Sequence, residues 1–168
     1  MDTELVNALK AELAGWSRLA ILGVGNEYGG DDAAGLLTVR QIKVILHTAS
    51  ANIRLFETGV SPENFTGPLR DFKPSHVIFI DCADMGKAPG QIKVLDPHHL
   101  QGTCPSTHSL SLAVVSEYIE REFGSIIVIL GIQPKTMSQG NSVSPEIIEA
   151  ASELGTILAA YLGEKELT

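Results

Sequence analysis

The sequence predicts an α/β fold, a three-layer α/β/α sandwich built on a mainly parallel five-stranded sheet with one antiparallel strand. Three observations carry that reading. Short apolar runs alternate with longer stretches of helical periodicity from residue 18 to the end, the order expected of strands linked by crossover helices. Most of the runs are continuous rather than alternating, rich in Ile, Val and Leu, as in strands covered on both faces. The run at 91–95 follows the run at 76–81 after too short a link for a helical crossover, so it is expected to be antiparallel.

The elements follow in order. Leu5, Leu9, Leu13 and Trp16 recur at helical spacing and predict an amphipathic helix over 3–15. A strand over 18–24 runs into a glycine-rich turn, and a helix over 33–46 comes next. A strand over 52–57 precedes a short helix over 62–72, then strands over 76–81 and 91–95. A helix over 110–123 leads to a strand over 125–132. The last helix opens at Ser144-Pro145-Glu146, a cap residue followed by proline at the first helical position, and carries Ile147, Ala151, Leu154, Leu158 and Tyr161 on one face.

At 168 residues the chain is expected to be one domain, 1–168, with residues 1–16 an added N-terminal helix. A chain of this length buries roughly 70 % of its unfolded surface, so it needs no staple. Its two cysteines, Cys82 and Cys104, occur without a signal peptide and without an apolar run near the ~20 residues of a membrane span. A reduced, cytoplasmic protein without a disulfide is the expectation. Twelve basic against twenty acidic residues leave a net charge of −8, which disfavours nucleic acid and anionic membrane as partners.

The most informative segment is Ile21-Leu22-Gly23-Val24-Gly25-Asn26-Glu27-Tyr28-Gly29-Gly30-Asp31-Asp32-Ala33-Ala34-Gly35. A dinucleotide fingerprint needs a third glycine where Tyr28 stands, and a helix start free of negative charge. Here Asp31 and Asp32 occupy that anion site, which points to a metal rather than a phosphate. The plainer alternative makes Asp31 an N-cap and Asp32 a first-turn acid. Ligands of open α/β sheets collect beyond the carboxyl ends of the strands. Asp32 follows the first strand, Asp81 closes the third, and His108 precedes the helix leading to the fifth, so these three can converge on one edge. Two carboxylates and an imidazole suit a borderline divalent ion such as nickel or zinc and leave positions open for water or substrate. Singly, Asp81 also reads as a strand-end turn residue and His108 as a helix cap or loop residue.

Taken together, the motifs resemble those of the hydrogenase maturation endopeptidases, which trim the C-terminus of a nickel-iron hydrogenase large subunit. The matching residues are Gly23, Gly25, Asn26, Asp31, Asp32 and Gly35, then Ser61-Pro62-Glu63-Asn64, then Ile80-Asp81-Cys82-Ala83-Asp84-Met85-Gly86 with Pro89-Gly90. Thr107-His108-Ser109-Leu110 and Gly131-Ile132-Gln133-Pro134 complete the series. The stretch from Ile80 to Gly90, and the stretch formed by Thr107-His108-Ser109-Leu110 followed by Gly131-Ile132-Gln133-Pro134, look most like the subgroup serving formate-hydrogenlyase-type, energy-converting hydrogenases. The resemblance implies that Asp32, Asp81 and His108 bind nickel supplied by the substrate precursor rather than held permanently. It implies a monomer whose partner is that large-subunit precursor, and cleavage conditional on completed nickel insertion. Cleavage is open to metal polarisation of the scissile carbonyl, a metal-activated water, or Asp32 as a carboxylate base. The family's aspartic-type classification favours Asp32 as the catalytic residue.

Other residues carry weaker readings. Glu57-Thr58-Gly59 departs from the Asp-Gly-Gly or Asp-Ala-Gly usual after the second strand, although the longer Glu57 side chain still has the reach for the cleft. Cys82 reads as a buried strand-end cysteine rather than a nucleophile. His98-His99 reads as solvated, and Asp84 as a turn or supporting residue. No Gly-x-Ser-x-Gly follows any strand, which removes a serine hydrolase. The rivals from other classes are a nucleotide-binding module, against which the Asp pair argues, and a metal-sensing chaperone that does not cut.

Overall fold

A computed structural model describes residues 3–47, 50–99, 109–138 and 142–166. Helix α1 spans Thr3–Glu12, and strand β1 Leu19–Val24 runs through a 3₁₀ turn at Gly30–Ala33 into α2, Ala34–Leu46. Strand β2 Ile53–Gly59 leads through a second 3₁₀ turn, Pro62–Phe65, to α3, Thr66–Phe72. Strands β3 His76–Cys82 and β4 Ile92–Leu95, helix α4 Ser109–Phe123, strand β5 Ile126–Ile132 and helix α5 Pro145–Glu166 complete the order. Strand order is β2-β1-β3-β5-β4, parallel except for β4, which runs antiparallel to β5. Fold class and strand directions are those read from the sequence.

Periodicity built the two cores. On β1, Leu19 and Ile21 face one layer while Ala20, Leu22 and Val24 face the other. The same alternation sends Ile78, Ile80 and Cys82 of β3, and Val128, Leu130 and Ile132 of β5, toward α1, α2 and α5. Val77, Phe79, Ile127 and Ile129 pack against α3 and α4. Central strands β1 and β3 are buried along their whole length, which is why they read as unbroken apolar runs. The edge strands β2 and β4 are only partly covered and more polar.

Two differences from the sequence reading are local. The 62–72 segment is a 3₁₀ turn followed by a seven-residue helix rather than one helix, and α1 stops at Glu12 although Leu13 and Trp16 remain buried. Leu5 and Leu9 join them in the α5-side core, so the N-terminal helix is packed into the body of the protein.

Glycine sets how closely α2 approaches the sheet. A Cβ on Gly35 would lie 2.1 Å from the Ile80 carbonyl oxygen and 2.4 Å from that of Val24. No side chain fits there, so the start of α2 is pressed against the carboxyl ends of β1 and β3 together. On Gly25, at φ +140°, a Cβ would lie 1.9 Å from the Asp32 carbonyl oxygen, closing the turn onto the strand it left.

Candidate active site

Asp32 and Asp81 belong to separate elements that those glycines bring together. Asp32 lies in the 3₁₀ turn, three residues before Gly35, and Asp81 directly follows Ile80 on β3. Asp32 is partly exposed; its Oδ2 accepts a hydrogen bond from the Asn26 N–H at 3.0 Å. Asp81 is 1 % exposed, and its Oδ1 accepts the Cys82 N–H at 2.9 Å. It is thus more enclosed than a turn residue at a strand end, because β3 is central and the 3₁₀ turn packs over it. His108, together with Cys104 and Thr107, lies outside the described residues. Among the described residues no group of three or more His, Cys, Asp or Glu is arranged to hold a metal ion.

The acid beside Asp32 has a role that the sequence reading did not assign. Asp31 is fully buried and caps no helix. Its Oδ1 accepts the Ser144 N–H at 2.7 Å, and its Oδ2 accepts the Lys135 N–H at 2.9 Å, the Thr136 N–H at 3.0 Å and the Ser144 hydroxyl at 3.0 Å. Burial raises the pKa of this carboxylate, but the four donors together outweigh burial and hold it below the ordinary aspartate value. Asp31 therefore ties the glycine-rich turn to both ends of the segment joining β5 to α5. No local signal in the sequence could have separated it from Asp32.

Gln133, at the end of β5, organises the opposite side. Its Oε1 accepts the N–H groups of Met85 and Lys87 at 2.7 and 3.1 Å, and its Nε2 donates to Asp84 Oδ1 at 3.0 Å. These bonds fold the segment after Asp81 back onto β5. Asp84 also accepts the Gly86 N–H, so it is a turn residue. A single buried glutamine closing an apolar strand was the available signal, and it lay within a quoted motif without a role.

The remaining candidates resolve simply. Burial pushes the Cys82 thiol up, and the negative charges of Asp81, Asp32, Asp31 and Asp84 push it further, which disfavours the thiolate a nucleophile needs. Glu57 turns away from cleavage chemistry: its carboxylate pairs with Arg40 at 2.8 Å and Lys43 at 2.7 Å on α2, and Arg40 reaches on to Glu27 at 2.7 Å. Thr58, at a bulge between β1 and β2, donates its hydroxyl to the Gly23 carbonyl at 3.1 Å. His98 is exposed, 3.7 Å from Glu120.

Comparison with known proteins places the chain in a family. The family model described as hydrogenase maturation protease matches residues 37–160. The chain belongs to the hydrogenase maturation protease family. It is accordingly a hydrolase of the peptidase class. The Escherichia coli K12 hydrogenase 3 maturation protease is 31 % identical over 115 residues, covering 68 % of this chain and 71 % of that protein. A Methanocaldococcus jannaschii protein named as a candidate hydrogenase maturation protease is 35 % identical over 161 residues, 93 % of this chain and 95 % of its own. The crystal structure of the nickel-iron hydrogenase maturation protease HycI from Thermococcus kodakarensis superposes with a TM-score of 0.85 at 33 % identity, covering 93 % of this chain and 99 % of that one. The last two comparisons span the glycine-rich turn and its acids, which lie ahead of the family model's first matched residue.

Proposed function

We propose that this protein removes a C-terminal extension from a nickel-iron hydrogenase large-subunit precursor after nickel has been inserted, and that Asp32, Asp81 and His108 recognise the nickel the precursor carries. The metal is cargo of the substrate, so cleavage waits for its insertion. The observation that supports this best is the placement of Asp32 and Asp81, on separate elements, at the same carboxyl edge of β1 and β3. Asp32, held by the Asn26 N–H and partly open to solvent, is the carboxylate suited to take a proton from an attacking water. The protein acts as a cytoplasmic monomer; no helix among the described residues is long and apolar enough to cross a membrane.

The test is to incubate the purified protein with nickel-loaded and nickel-free precursor and to follow loss of the extension by mass. Cleavage of the loaded form alone is expected. Asp32→Asn should lower kcat by about 10²-fold or more, the ordinary contribution of a positioned base. His108→Ala should abolish processing, and wild-type processing should weaken as acidification protonates imidazole, because only the neutral ring ligates metal. Binding of loaded precursor with the extension left intact would instead show a metal-sensing chaperone.

A further inference from the structure

We propose that Tyr28 and Met137 are the two walls of an apolar peptide subsite on either side of the Asp32 and Asp81 carboxylates, seating apolar side chains of the precursor next to the bond that is cut. This inference rests on the protease reading above. Large hydrophobic residues exposed singly are ordinary on a protein surface, so their location has to carry the argument. Val44, Ile45, Val114 and Ile148 lie on helices, Ile126 opens β5 at the opposite edge of the sheet, and Val60 follows β2, an edge strand separated by β1 from the β3 strand that carries Asp81. Tyr28 and Met137 sit on the loops that leave the carboxyl ends of β1 and β5.

Both residues are tied to the acids by the geometry of the fold. Tyr28 is 83 % exposed, yet its N–H is held by Asn26 Oδ1 at 3.0 Å, in the same turn whose Asn26 N–H binds Asp32. The ring is thus presented on a fixed support. Met137, 39 % exposed, has its sulfur 4.0 Å from that of Cys82, the residue after Asp81. Asp31 holds the two loops in one spacing, since it leaves the Tyr28 turn and binds the N–H groups of Lys135 and Thr136. Strands β1 and β5 flank β3, so at about 4.8 Å between neighbours the walls rise from strands about 10 Å apart, the length of about three extended residues.

The occupant is an extended segment of polypeptide with apolar side chains and no net negative charge. The carboxylates between the walls and the net charge of −8 repel an acidic one. An aromatic ring and a flexible thioether are surfaces suited to gripping such side chains without demanding one shape.

The test uses the full chain and nickel-loaded precursor. Tyr28→Ala and Met137→Ala should each raise KM by about tenfold with kcat within about twofold, while Tyr28→Phe and Met137→Leu stay near wild type. Precursor affinity is measured separately in an Asp32→Asn background, where the same alanine changes should weaken Kd by about tenfold. If wild type binds the precursor but leaves it whole, the protease reading fails and the Kd series alone decides the subsite. Alanine variants that bind like their parent overturn the proposal, as does a fall in kcat at constant KM. Failure of wild type to bind the precursor overturns both.

Discussion

Asp31 shows how one buried charge can govern a site without touching substrate. A carboxylate with no exposed surface is destabilising unless its lone pairs are filled, and here three backbone N–H groups and a hydroxyl fill them. Asp31→Asn keeps the shape but replaces one acceptor oxygen with an NH₂ facing donors. It should cost about 2–3 kcal/mol at neutral pH, measured by urea denaturation. The sign of the pH dependence follows from the lowered pKa. The stabilisation from Asp31 is present above the ordinary carboxylate range and is lost as pH falls through the folded value, so the gap between wild type and variant should close on acidification. Arg40 offers a contrast. Its pairs with Glu27 and Glu57 are substantially exposed, and Arg40→Ala should change stability by no more than about 1 kcal/mol in the same assay.

At the scale of elements, the decisive contact is the start of α2 against β1 and β3. Gly35→Ala places a methyl 2.1 Å from the Ile80 carbonyl oxygen, and backbone on both sides cannot yield. Helix α2 must lift, carrying the Asp32 turn away from Asp81. The expected result is destabilisation at or above the ~1–3 kcal/mol typical of overpacking, with a further loss of processing rate per folded molecule. Gly163→Ala in α5 is the control, because nothing lies within 4 Å of its added Cβ and no proline follows it. That change should stabilise by about 0.5–1 kcal/mol through helix propensity and leave processing unchanged. Thermal melts and precursor digestion on both variants separate the two outcomes.

At the scale of the whole molecule, the N-terminal helix is packed as core. Leu9 is 3 % exposed and lies with Leu5, Leu13, Trp16 and the apolar face of α5, and the Tyr161 hydroxyl donates to the Leu13 carbonyl at 3.3 Å. We propose that this segment is an addition to the catalytic domain that strengthens it without entering the chemistry. Leu9→Ala should then cost about 2–5 kcal/mol by denaturation, while kcat measured on folded protein stays near wild type. An equal loss of kcat would place α1 in the mechanism.

How much was legible in the sequence depends on how local each signal is. Strands β1, β3 and β5 were readable because burial on both faces requires unbroken apolar residues, and the antiparallel β4 because its link is short. The carboxyl edge as the place where Asp32 and Asp81 gather follows from the same alternation, since parallel strands deliver their ends to one side. The sequence by itself therefore determined the fold class and the edge that carries the acids. Only the tertiary structure decided which member of the Asp31-Asp32 pair is spent on structure. The partners of Asp31 lie 104 to 113 residues away, and the Tyr28 and Met137 loops are set by that same long-range closure. Periodicity and turn chemistry act within a few residues, whereas a buried carboxylate chooses its donors only once the sheet has brought distant loops together.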